Sequence, residues 1–249
     1  MRVSVVIPAL NEEATVAEVV RSCLADAPEE VIVIDADSTD ATARRAQEAG
    51  ARVINWREAL PDPPRPGKGE SLWRGVAAAR GEVIVFIDAD LESARPGMVS
   101  ALARPFSSPD IHMVKARYRR SLDGQPHGGG RVTELTAKPL LRQFFPELAH
   151  INQPLGGEYA LRASSARHLP FVAGYGVEAG LLIDVGQRHG TSAIAEVDLG
   201  LRVHRNRPLE ELASMADVVA ATILTRAGVA KQGVEQRPAL EDRIYACCR

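Results

Sequence analysis

The stretch EVIVFIDADLES, residues 82–93, decides the fold of this chain. It opens with an unbroken run of mostly β-branched residues and ends in acidic and small polar ones. Two other stretches repeat the pattern: VSVVIPALNEE at residues 3–13 and EVIVIDADSTD at residues 30–40. Continuous apolar runs of this kind are typical of strands that a parallel sheet buries on both faces. Together with the shorter run ARVINW, they predict strands at residues 3–9, 30–37, 51–56 and 82–90.

Segments with helical character separate these predicted strands. Residues 12–25, 39–49 and 69–79 each place apolar or alanine residues on one side, and glycines follow the last two of them. Alternation of strands and helices predicts right-handed crossover connections and an open, doubly wound α/β sheet. Sheets of this type bind ligands beyond the carboxyl ends of their strands. The acidic stretches PALNEE, DADSTD and DADLES all fall there, so we expect a binding site at that edge.

The second half of the chain has a less regular pattern. A glycine-rich loop at residues 121–131 precedes an apparent helix, and a strand-like run at residues 193–208 leads into a polar turn. The spacing then predicts a helix over residues 209–225. Because no linker separates the halves, we predict a single domain at residues 1–226. The pattern fades in residues 227–249, which we expect to form a loose C-terminal tail.

The composition excludes several classes of protein. Hydrophobic residues make up 45% of the 249 residues and charged residues 25%, which argues against disorder and against collagen-like repeats. The chain has 30 Lys plus Arg against 32 Asp plus Glu, a balance that disfavours binding to nucleic acid or to acidic membranes. No apolar run approaches the roughly 20 residues of a membrane helix. Since the chain also opens directly into its first predicted strand, we expect a soluble cytoplasmic protein.

Asp88 and Asp90 are the first candidates for chemistry. Two carboxylates one residue apart at a strand end can approach one divalent cation, Mg²⁺ or Mn²⁺, which would bridge them to a diphosphate. Such a pair alone is more often two solvated turn residues, but Asp at the end of so apolar a strand is costly unless it is solvated, paired or metal-bound. His204, in the polar turn HRNR, is a candidate third ligand, although a lone His is more often structural or exposed.

Lys68 and Glu178 are the next candidates. Lys68 lies in PGKGES, where the flanking glycines would let a phosphate approach the backbone and the lysine closely; the other interpretation is a flexible loop that caps a helix. Glu178 lies among apolar residues and could cap a helix or hold a sugar hydroxyl. The chain contains neither GxGxxG nor GxxxxGK[ST], which disfavours dinucleotide dehydrogenases and P-loop enzymes. The absence of GxSxG disfavours hydrolases with an activated serine.

Eight blocks of sequence, in order from about residue 3 to residue 226, resemble the glucosyl-3-phosphoglycerate synthase family. They are VSVVIPALNEE, VIVIDADSTDAT, PGKGESLWR, VFIDADL, GGGRVTELTAKPLL, QPLGGEYALR, GYGVEAGLLID and LGLRVHRNRPLEEL. The resemblance implies a retaining glycosyltransferase of the GT-A fold, with a Rossmann-like, open, mostly parallel sheet and helices on both faces. It also implies a nucleotide-sugar-binding half at residues 1–120 and a smaller acceptor-binding half at residues 121–226.

The family transfers glucose from UDP-glucose to the 2-hydroxyl of 3-phospho-D-glycerate, uses Mg²⁺ or a similar cation such as Mn²⁺, and forms homodimers. The resemblance therefore implies these two substrates, a divalent cation and a second copy of the chain as partners; the charge balance and the lack of a long apolar run predict no nucleic acid and no membrane among them. We find no confident nucleophile in the sequence. Same-face attack, with the leaving diphosphate taking the acceptor proton, is therefore the expected route to retention of configuration.

The resemblance also implies three groups of site residues. The nucleotide-sugar would contact Pro8, Ala9, Leu10, Glu13, Ser38, Lys68, Asp88, Ala89, Leu155, Tyr175 and Glu178. The acceptor would contact Gly130, Arg131, Thr133 and Asn206. The metal would be held by Asp90 and His204. The reacting centre would contain Asp90, Glu178 and Leu155.

Two other functions stay open on the sequence alone. Mannosyl-3-phosphoglycerate synthesis from GDP-mannose would use the same metal and acceptor chemistry. A catalytically silent protein that binds a nucleotide-sugar is the alternative outside the enzymes, and the intact Asp88, Asp90 and His204 argue against it.

Overall fold

A computed structural model describes residues 1–121, 130–203, 209–230 and 233–246. The strands are β1 (Val3–Ala9), β2 (Glu30–Asp35), β3 (Arg52–Asn55), β4 (Val83–Phe86), β5 (Met113–Ser121), β6 (Tyr159–Arg162), β7 (Phe171–Val172), β8 (Ile194–Val203) and β9 (Gln236–Arg237). The helices are α1 (Val16–Leu24), α2 (Thr42–Glu48), α3 (Trp56–Ala59), α4 (Lys68–Ala78), α5 (Met98–Ala103), α6 (Lys138–Phe144), α7 (Ala163–Arg167), α8 (Val177–His189), α9 (Leu209–Arg226) and α10 (Leu240–Ala246).

A seven-stranded sheet in the order β3-β2-β1-β4-β6-β5-β8 forms the centre of the described structure. Strand β1 pairs in parallel with β2 and β4, β2 pairs in parallel with β3, and β5 pairs in parallel with β8. Strand β6 runs antiparallel to β4 and β5. The predicted α/β fold with an open, mostly parallel sheet is confirmed.

Apolar cores lie on both faces of this sheet. Along β1, Val6 packs into one core, with Leu72 of α4 and Leu181 of α8. Its neighbour Val5 packs into the other core, with residues that include Val19 of α1. This alternation explains why the strands are continuously apolar in sequence, because each face of the sheet is covered by helices.

The strand and helix boundaries differ in small ways from the sequence prediction. Strand β4 ends at Phe86, so Asp88 and Asp90 lie in the turn beyond it rather than in the strand. The run ARVINW ends its strand at Asn55, because Trp56 begins α3, where the Asn55 side chain accepts a hydrogen bond from the Arg57 backbone at 2.9 Å. A side-chain acceptor at this position favours the start of a helix.

The prediction of a loose C-terminal tail is wrong for the described residues 233–246. Strand β9 pairs with β7, and α10 follows it. The indole nitrogen of Trp73 donates a hydrogen bond to the Pro238 carbonyl at 3.0 Å. Contacts between residues far apart in sequence hold this segment in place. Its strand and helix therefore could not be predicted from the local sequence pattern.

No helix in the described ranges combines the length and apolar character needed to cross a lipid bilayer.

Two stacked histidines join β5 to the end of α8. The rings of His112 and His189 lie 3.7 Å apart with 10° between their planes, and His112 Nδ1 lies 2.6 Å from Ser165 Oγ. Burial lowers the pKa of His112, with a smaller contribution from Arg162. Burial also lowers the pKa of His189, and its neighbour in the stack adds to the effect. Both rings are therefore held in the neutral form.

This stack predicts a loss of stability in acid. Both folded-state pKa values lie below the unfolded value of 6.5, so the unfolded chain binds more protons once the pH falls through that value. We expect the unfolding free energy of the wild type to decrease between about pH 7.5 and about pH 5.5 more than that of His189→Phe, which keeps a stacked ring that cannot titrate. Urea denaturation at each pH measures the difference.

The matched control is His150→Gln, which removes an exposed histidine outside the stack. It should leave the pH dependence of the wild type unchanged. Identical pH dependence in the wild type and His189→Phe would contradict this account of the stack.

Candidate active site

A cleft of about 480 Å³ opens at the carboxyl ends of β1, β2 and β4. This volume suits a small-molecule ligand. The end of β1 contributes Pro8, Ala9 and Leu10, the end of β2 contributes Ala36, and the turn after β4 contributes residues 88–90. The cleft therefore lies where open α/β sheets bind ligands.

Most of the residues predicted for the site line this cleft. They are Pro8, Ala9, Leu10, Lys68, Asp88, Ala89, Asp90, Gly130, Arg131, Thr133, Leu155, Tyr175 and Glu178. Glu13 and Ser38 are not among the described lining residues. Ser38 Oγ accepts a hydrogen bond from the Asn11 backbone at 3.0 Å, and Glu13 Oε2 accepts one from the Ala41 backbone at 3.1 Å. These bonds join the loop after β1 to the loop after β2.

Lys68 is the centre of a largely buried group of charges in the cleft, and its own side chain is 18% exposed. Its ammonium nitrogen lies 2.5 Å from Asp88 Oδ1 and 2.7 Å from Glu178 Oε1. Burial favours the neutral amine, but the attraction of Asp88 and then of Glu178 outweighs it and raises the pKa of Lys68 well above its usual value. Lys68 therefore remains a cation that offsets negative charge from both the turn after β4 and helix α8.

Arg202, at the end of β8, is a second cation in the cleft. Its Nη2 lies 3.0 Å from Asp88 Oδ2 and 3.0 Å from Glu158 Oε1, and its Nη1 donates to the Tyr118 hydroxyl at 3.0 Å. Burial disfavours the charge of Asp88, but Lys68 and Arg202 outweigh it and hold the pKa of that carboxyl well below its usual range. Asp88 is thus a permanent anion between two permanent cations.

Two glycines permit the close approaches that bring these charges together. A Cβ at Gly157 would lie 2.1 Å from a carboxylate oxygen of Asp88, and a Cβ at Gly69 would lie 1.7 Å from the Val172 carbonyl oxygen. Only glycine leaves room at such contacts. The second contact lets the first turn of α4, which carries Lys68, lie directly against β7.

A buried lysine outside the cleft supports the turn that carries Leu155. Lys115 is fully buried, and its Nζ donates a hydrogen bond to the Gly156 carbonyl at 2.7 Å. The same nitrogen lies 4.6 Å from the centre of the Tyr159 ring. Burial lowers the pKa of Lys115 to about 8. The lysine fixes this turn from β5, while Leu155 faces the cleft.

Another wall of the cleft comes from residues 130–133 and from α9. Gly130 adopts φ +73°, a left-handed conformation that glycine tolerates, and places Arg131 and Thr133 in the lining. One π-helical turn at Thr133–Ala137 follows, a feature that is frequent at functional sites. The α9 residues in the lining are Leu212, Met215 and Val219. This wall brings Arg131 into the lining of the same cleft as Lys68.

Asp90 is suited to hold a divalent cation. It lines the cleft beside Asp88, and its carboxylate supplies the hard oxygen donors that Mg²⁺ and Mn²⁺ prefer. In the part of the chain that the structure describes, there is no group of three His, Cys, Asp or Glu side chains placed to hold a metal ion. The predicted second ligand, His204, lies outside the described residues, as does the predicted acceptor contact Asn206. A single carboxylate fits a cation that also takes oxygen ligands from substrate phosphates.

Arg202 belongs to the site but was not among the residues predicted from the sequence. Residues two apart in a strand share a face. The assignment of His204 to the cleft could therefore have indicated Arg202 as well. Glu158, which pairs with Arg202, has no comparable signal, because only the pairing of β6 with β4 and β5 brings it into reach.

Lys68→Met tests whether the buried charges depend on the lysine. The Glu178 side chain is only 4% exposed, so removing its cation should lower the unfolding free energy by about 3 kcal/mol. Chemical denaturation followed by circular dichroism measures the loss.

The double variant Lys68→Met/Glu178→Met removes the stranded anion as well. It should recover part of the stability lost in the single variant, because Asp88 keeps Arg202 as a partner. A single variant as stable as the wild type would show that the ion pairs with Lys68 add nothing to the fold.

Sequence comparison relates the chain to known glycosyltransferases. Residues 4–156 match glycosyl transferase family 2. The chain is 51% identical over 241 residues to the glucosyl-3-phosphoglycerate synthase of Mycolicibacterium smegmatis, covering 93% of this chain and 80% of that protein. It is 42% identical over 241 residues to the synthase of Petrotoga mobilis, covering 91% of this chain and 73% of that protein.

The structure also resembles a solved one. The crystal structure of glucosyl-3-phosphoglycerate synthase from Mycobacterium tuberculosis, in complex with Mn²⁺, UDP-glucose and phosphoglyceric acid, matches with a TM-score of 0.90 at 46% identity, over 97% of this chain and 91% of that one. A structure of the same enzyme with Mn²⁺, UDP and glucosyl-3-phosphoglycerate matches with a TM-score of 0.89. The chain therefore belongs to glycosyl transferase family 2 and, within it, to the glucosyl-3-phosphoglycerate synthases.

Proposed function

We propose that this chain transfers glucose from UDP-glucose to the 2-hydroxyl of 3-phosphoglycerate, giving glucosyl-3-phosphoglycerate and UDP. The observation that carries the proposal is a single cleft lined by Asp90, Lys68 and Arg131, which are a metal-binding carboxylate and two cations for two anionic substrates. The Mycolicibacterium smegmatis relative is named for this synthesis, and the Mycobacterium tuberculosis enzyme binds UDP-glucose together with phosphoglyceric acid.

Lys68 acts on the donor side of the reaction. Negative charge builds on the UDP as it leaves, and a fixed cation at the first residue of α4 offsets that charge. The α4 helix dipole also has its positive end here, so it adds to the effect of the Lys68 ammonium. A divalent cation, when bound at Asp90 with His204 as its second protein ligand, supplies further electrostatic stabilisation of the leaving diphosphate. The predicted divalent metal cofactor is supported by the Mn²⁺ in the related structures.

Arg131 acts on the acceptor side. 3-Phosphoglycerate carries a phosphate and a carboxylate, and a planar guanidinium can bind either group with two parallel hydrogen bonds. Gly130 and Thr133 lie next to it in the lining, and Asn206 completes the proposed acceptor contacts. These residues orient the 2-hydroxyl toward the sugar.

The reaction proceeds with retention of configuration by same-face attack. The proposed sugar contacts are Leu155, Tyr175 and Glu178. Asp88 and Glu178, the carboxylates that Lys68 joins, are neutralised by that cation, which makes them poor nucleophiles. The acceptor hydroxyl attacks instead from the side of the departing UDP, and a phosphate oxygen of UDP takes its proton.

The enzyme works in the cytoplasm as a homodimer. Both substrates are multiply charged and do not cross a lipid bilayer unaided, so the enzyme must share their compartment. The homodimer is inferred from the family resemblance, and the single chain leaves the large apolar side chains of Leu135 and Leu201 76% and 49% exposed.

A donor and acceptor screen tests the proposed reaction. Purified protein with UDP-glucose, 3-phosphoglycerate and Mg²⁺ or Mn²⁺ should give one product with the mass of glucosyl-3-phosphoglycerate and an α-anomeric proton signal. GDP-mannose in place of UDP-glucose should give much less product. Excess EDTA should abolish transfer, because Lys68 alone cannot replace the charge of the divalent cation beside the leaving diphosphate.

Three results would contradict parts of this proposal. Faster turnover of GDP-mannose would make the chain a mannosyl-3-phosphoglycerate synthase. Full activity in exhaustively chelated protein would exclude the metal. Binding of UDP-glucose without any transfer of glucose would show that the chain is a catalytically silent protein that binds a nucleotide-sugar.

Arg131→Ala tests the acceptor site. The loss of a charge-assisted, two-bond contact should raise the KM for 3-phosphoglycerate by roughly tenfold or more, with the KM for UDP-glucose nearly unchanged. Steady-state kinetics with each substrate varied in turn measures both constants.

Arg131→Lys is the matched variant, since it keeps the charge and loses the planar fork. It should recover only part of the acceptor affinity. If Arg131→Ala raised the KM for UDP-glucose and not that for 3-phosphoglycerate, Arg131 would belong to the donor site.

A further inference from the structure

The last described segment of the chain, residues 233–246, contacts α4, which carries Lys68, and β7, which leads into α8. We call it the C-terminal strap. Its strand β9 pairs with β7, and the Ala173 backbone donates a hydrogen bond to the Glu235 carbonyl at 3.0 Å. Strand β7 ends five residues before the start of α8, which carries Glu178 in its first turn. The strap therefore supports one side of the Lys68–Glu178 ion pair.

Arg237 joins the same strap to α4, on the other side of that ion pair. Its guanidinium makes two hydrogen bonds to the Glu70 carboxylate, at 2.7 and 2.8 Å, and a third to the Pro63 carbonyl at 2.5 Å. It also lies 5.0 Å from the centre of the Trp73 ring. Glu70 is fully buried and follows Lys68 by two residues in the first turn of α4. Arg237 is itself almost completely buried.

Charge balance at Glu70 does not require Arg237. Arg74 is fully buried on the next turn of α4, and its Nε donates to Glu70 Oε1 at 2.7 Å. Arg74 also donates to the Trp56 carbonyl at 2.7 Å and to the Asp62 carbonyl at 2.6 Å, and so fixes the loop before α4. What Arg237 adds is a rigid, two-bond connection between α4 and the strand that pairs with β7.

We propose that Arg237 is a positioning residue, which holds the first turn of α4 against β7 and so sets where Lys68 meets the donor diphosphate. Its side chain fixes α4 through Glu70, and its backbone fixes β7 through the strand pairing. The inference rests on the proposed function, in which Lys68 contacts the donor. A displacement of about 1 Å at a binding group can cost up to about 100-fold in rate, so a residue outside the cleft can act in this way.

Arg237→Met tests the inference, because it keeps a long side chain in the buried position and leaves Glu70 paired with Arg74. We expect the Kd for UDP with Mn²⁺ to rise, and kcat/KM for UDP-glucose to fall, by about tenfold or more. The KM for 3-phosphoglycerate should stay close to that of the wild type. Arg237→Lys keeps a cation beside Glu70 and should recover part of the UDP affinity. Calorimetry and steady-state kinetics, each at equal folded fraction, measure these values.

The matched control is Arg243→Met on the same strap. Arg243 pairs with Asp62 and lies 5.1 Å from the centre of the Trp73 ring, whereas the described hydrogen bonds to the Glu70 carboxylate come from Arg74 and Arg237. It should lower the melting temperature without weakening UDP binding. Wild-type UDP affinity in Arg237→Met, or an equal loss in Arg243→Met, would overturn the proposal.

Failure of the proposed function gives a different result. A wild type that binds UDP but makes no product from 3-phosphoglycerate would overturn the proposed reaction, while the UDP affinities of the variants would still decide the role of Arg237. If Arg237→Met does not fold, the UDP affinity of Arg237→Lys decides whether Arg237 is a positioning residue. Weaker UDP binding in Arg237→Lys than in Arg243→Met would support the proposal, and UDP binding as tight as in the wild type would overturn it.

Discussion

The contact of one partly buried ammonium group with two carboxylates is the constraint on which the rest of the site depends. Lys68 lies 2.5 Å from an oxygen of Asp88 and 2.7 Å from an oxygen of Glu178, which come from the turn after β4 and from α8. Without this cation, two anions would face a cleft that receives a diphosphate. The relative positions of α4, β4 and α8 are therefore fixed by electrostatics as well as by apolar packing.

Buried ions are costly, and the structure reduces that cost by alternating their signs. Arg202 lies between Asp88 and Glu158, so each described anion of the group has a cation at hydrogen-bond distance. Glycines at positions 69 and 157 remove the side chains that would keep the elements apart. An array of charges that is fixed before the substrate arrives can stabilise a leaving group without reorganising.

The parts of the fold and site that sequence could predict are those set by local pattern. Strands β1, β2 and β4 carry buried, continuously apolar runs, and their acidic ends mark the edge where the cleft lies. Lys68 was recognisable because two glycines flank it. Leu155 and Tyr175 needed the family resemblance, because nothing in their local sequence indicates a sugar site. Whether the residues assigned to each substrate have those roles stays a prediction.

Other features could not be predicted, because they depend on pairing between distant segments. Glu158 enters the cleft group only once β6 inserts antiparallel between β4 and β5. The C-terminal strap has no periodic pattern of its own, and it is ordered by Arg237, by Trp73 and by β7. The hydrogen bonds and ion pairs that Arg237 and Arg243 make to α4 and to the loop before it follow from no local pattern in the sequence.

The measurement that tests this account most directly is the affinity of UDP, with Mn²⁺ present, for the wild type and for Lys68→Met. If Lys68 supplies the fixed cation for the diphosphate, calorimetry should show a Kd at least about tenfold higher in the variant, a loss of about 1.4 kcal/mol or more. Glu178→Gln, which leaves Lys68 in place, should lose much less. Unchanged UDP affinity in folded Lys68→Met would contradict the central claim, because the buried cation would then serve only the fold.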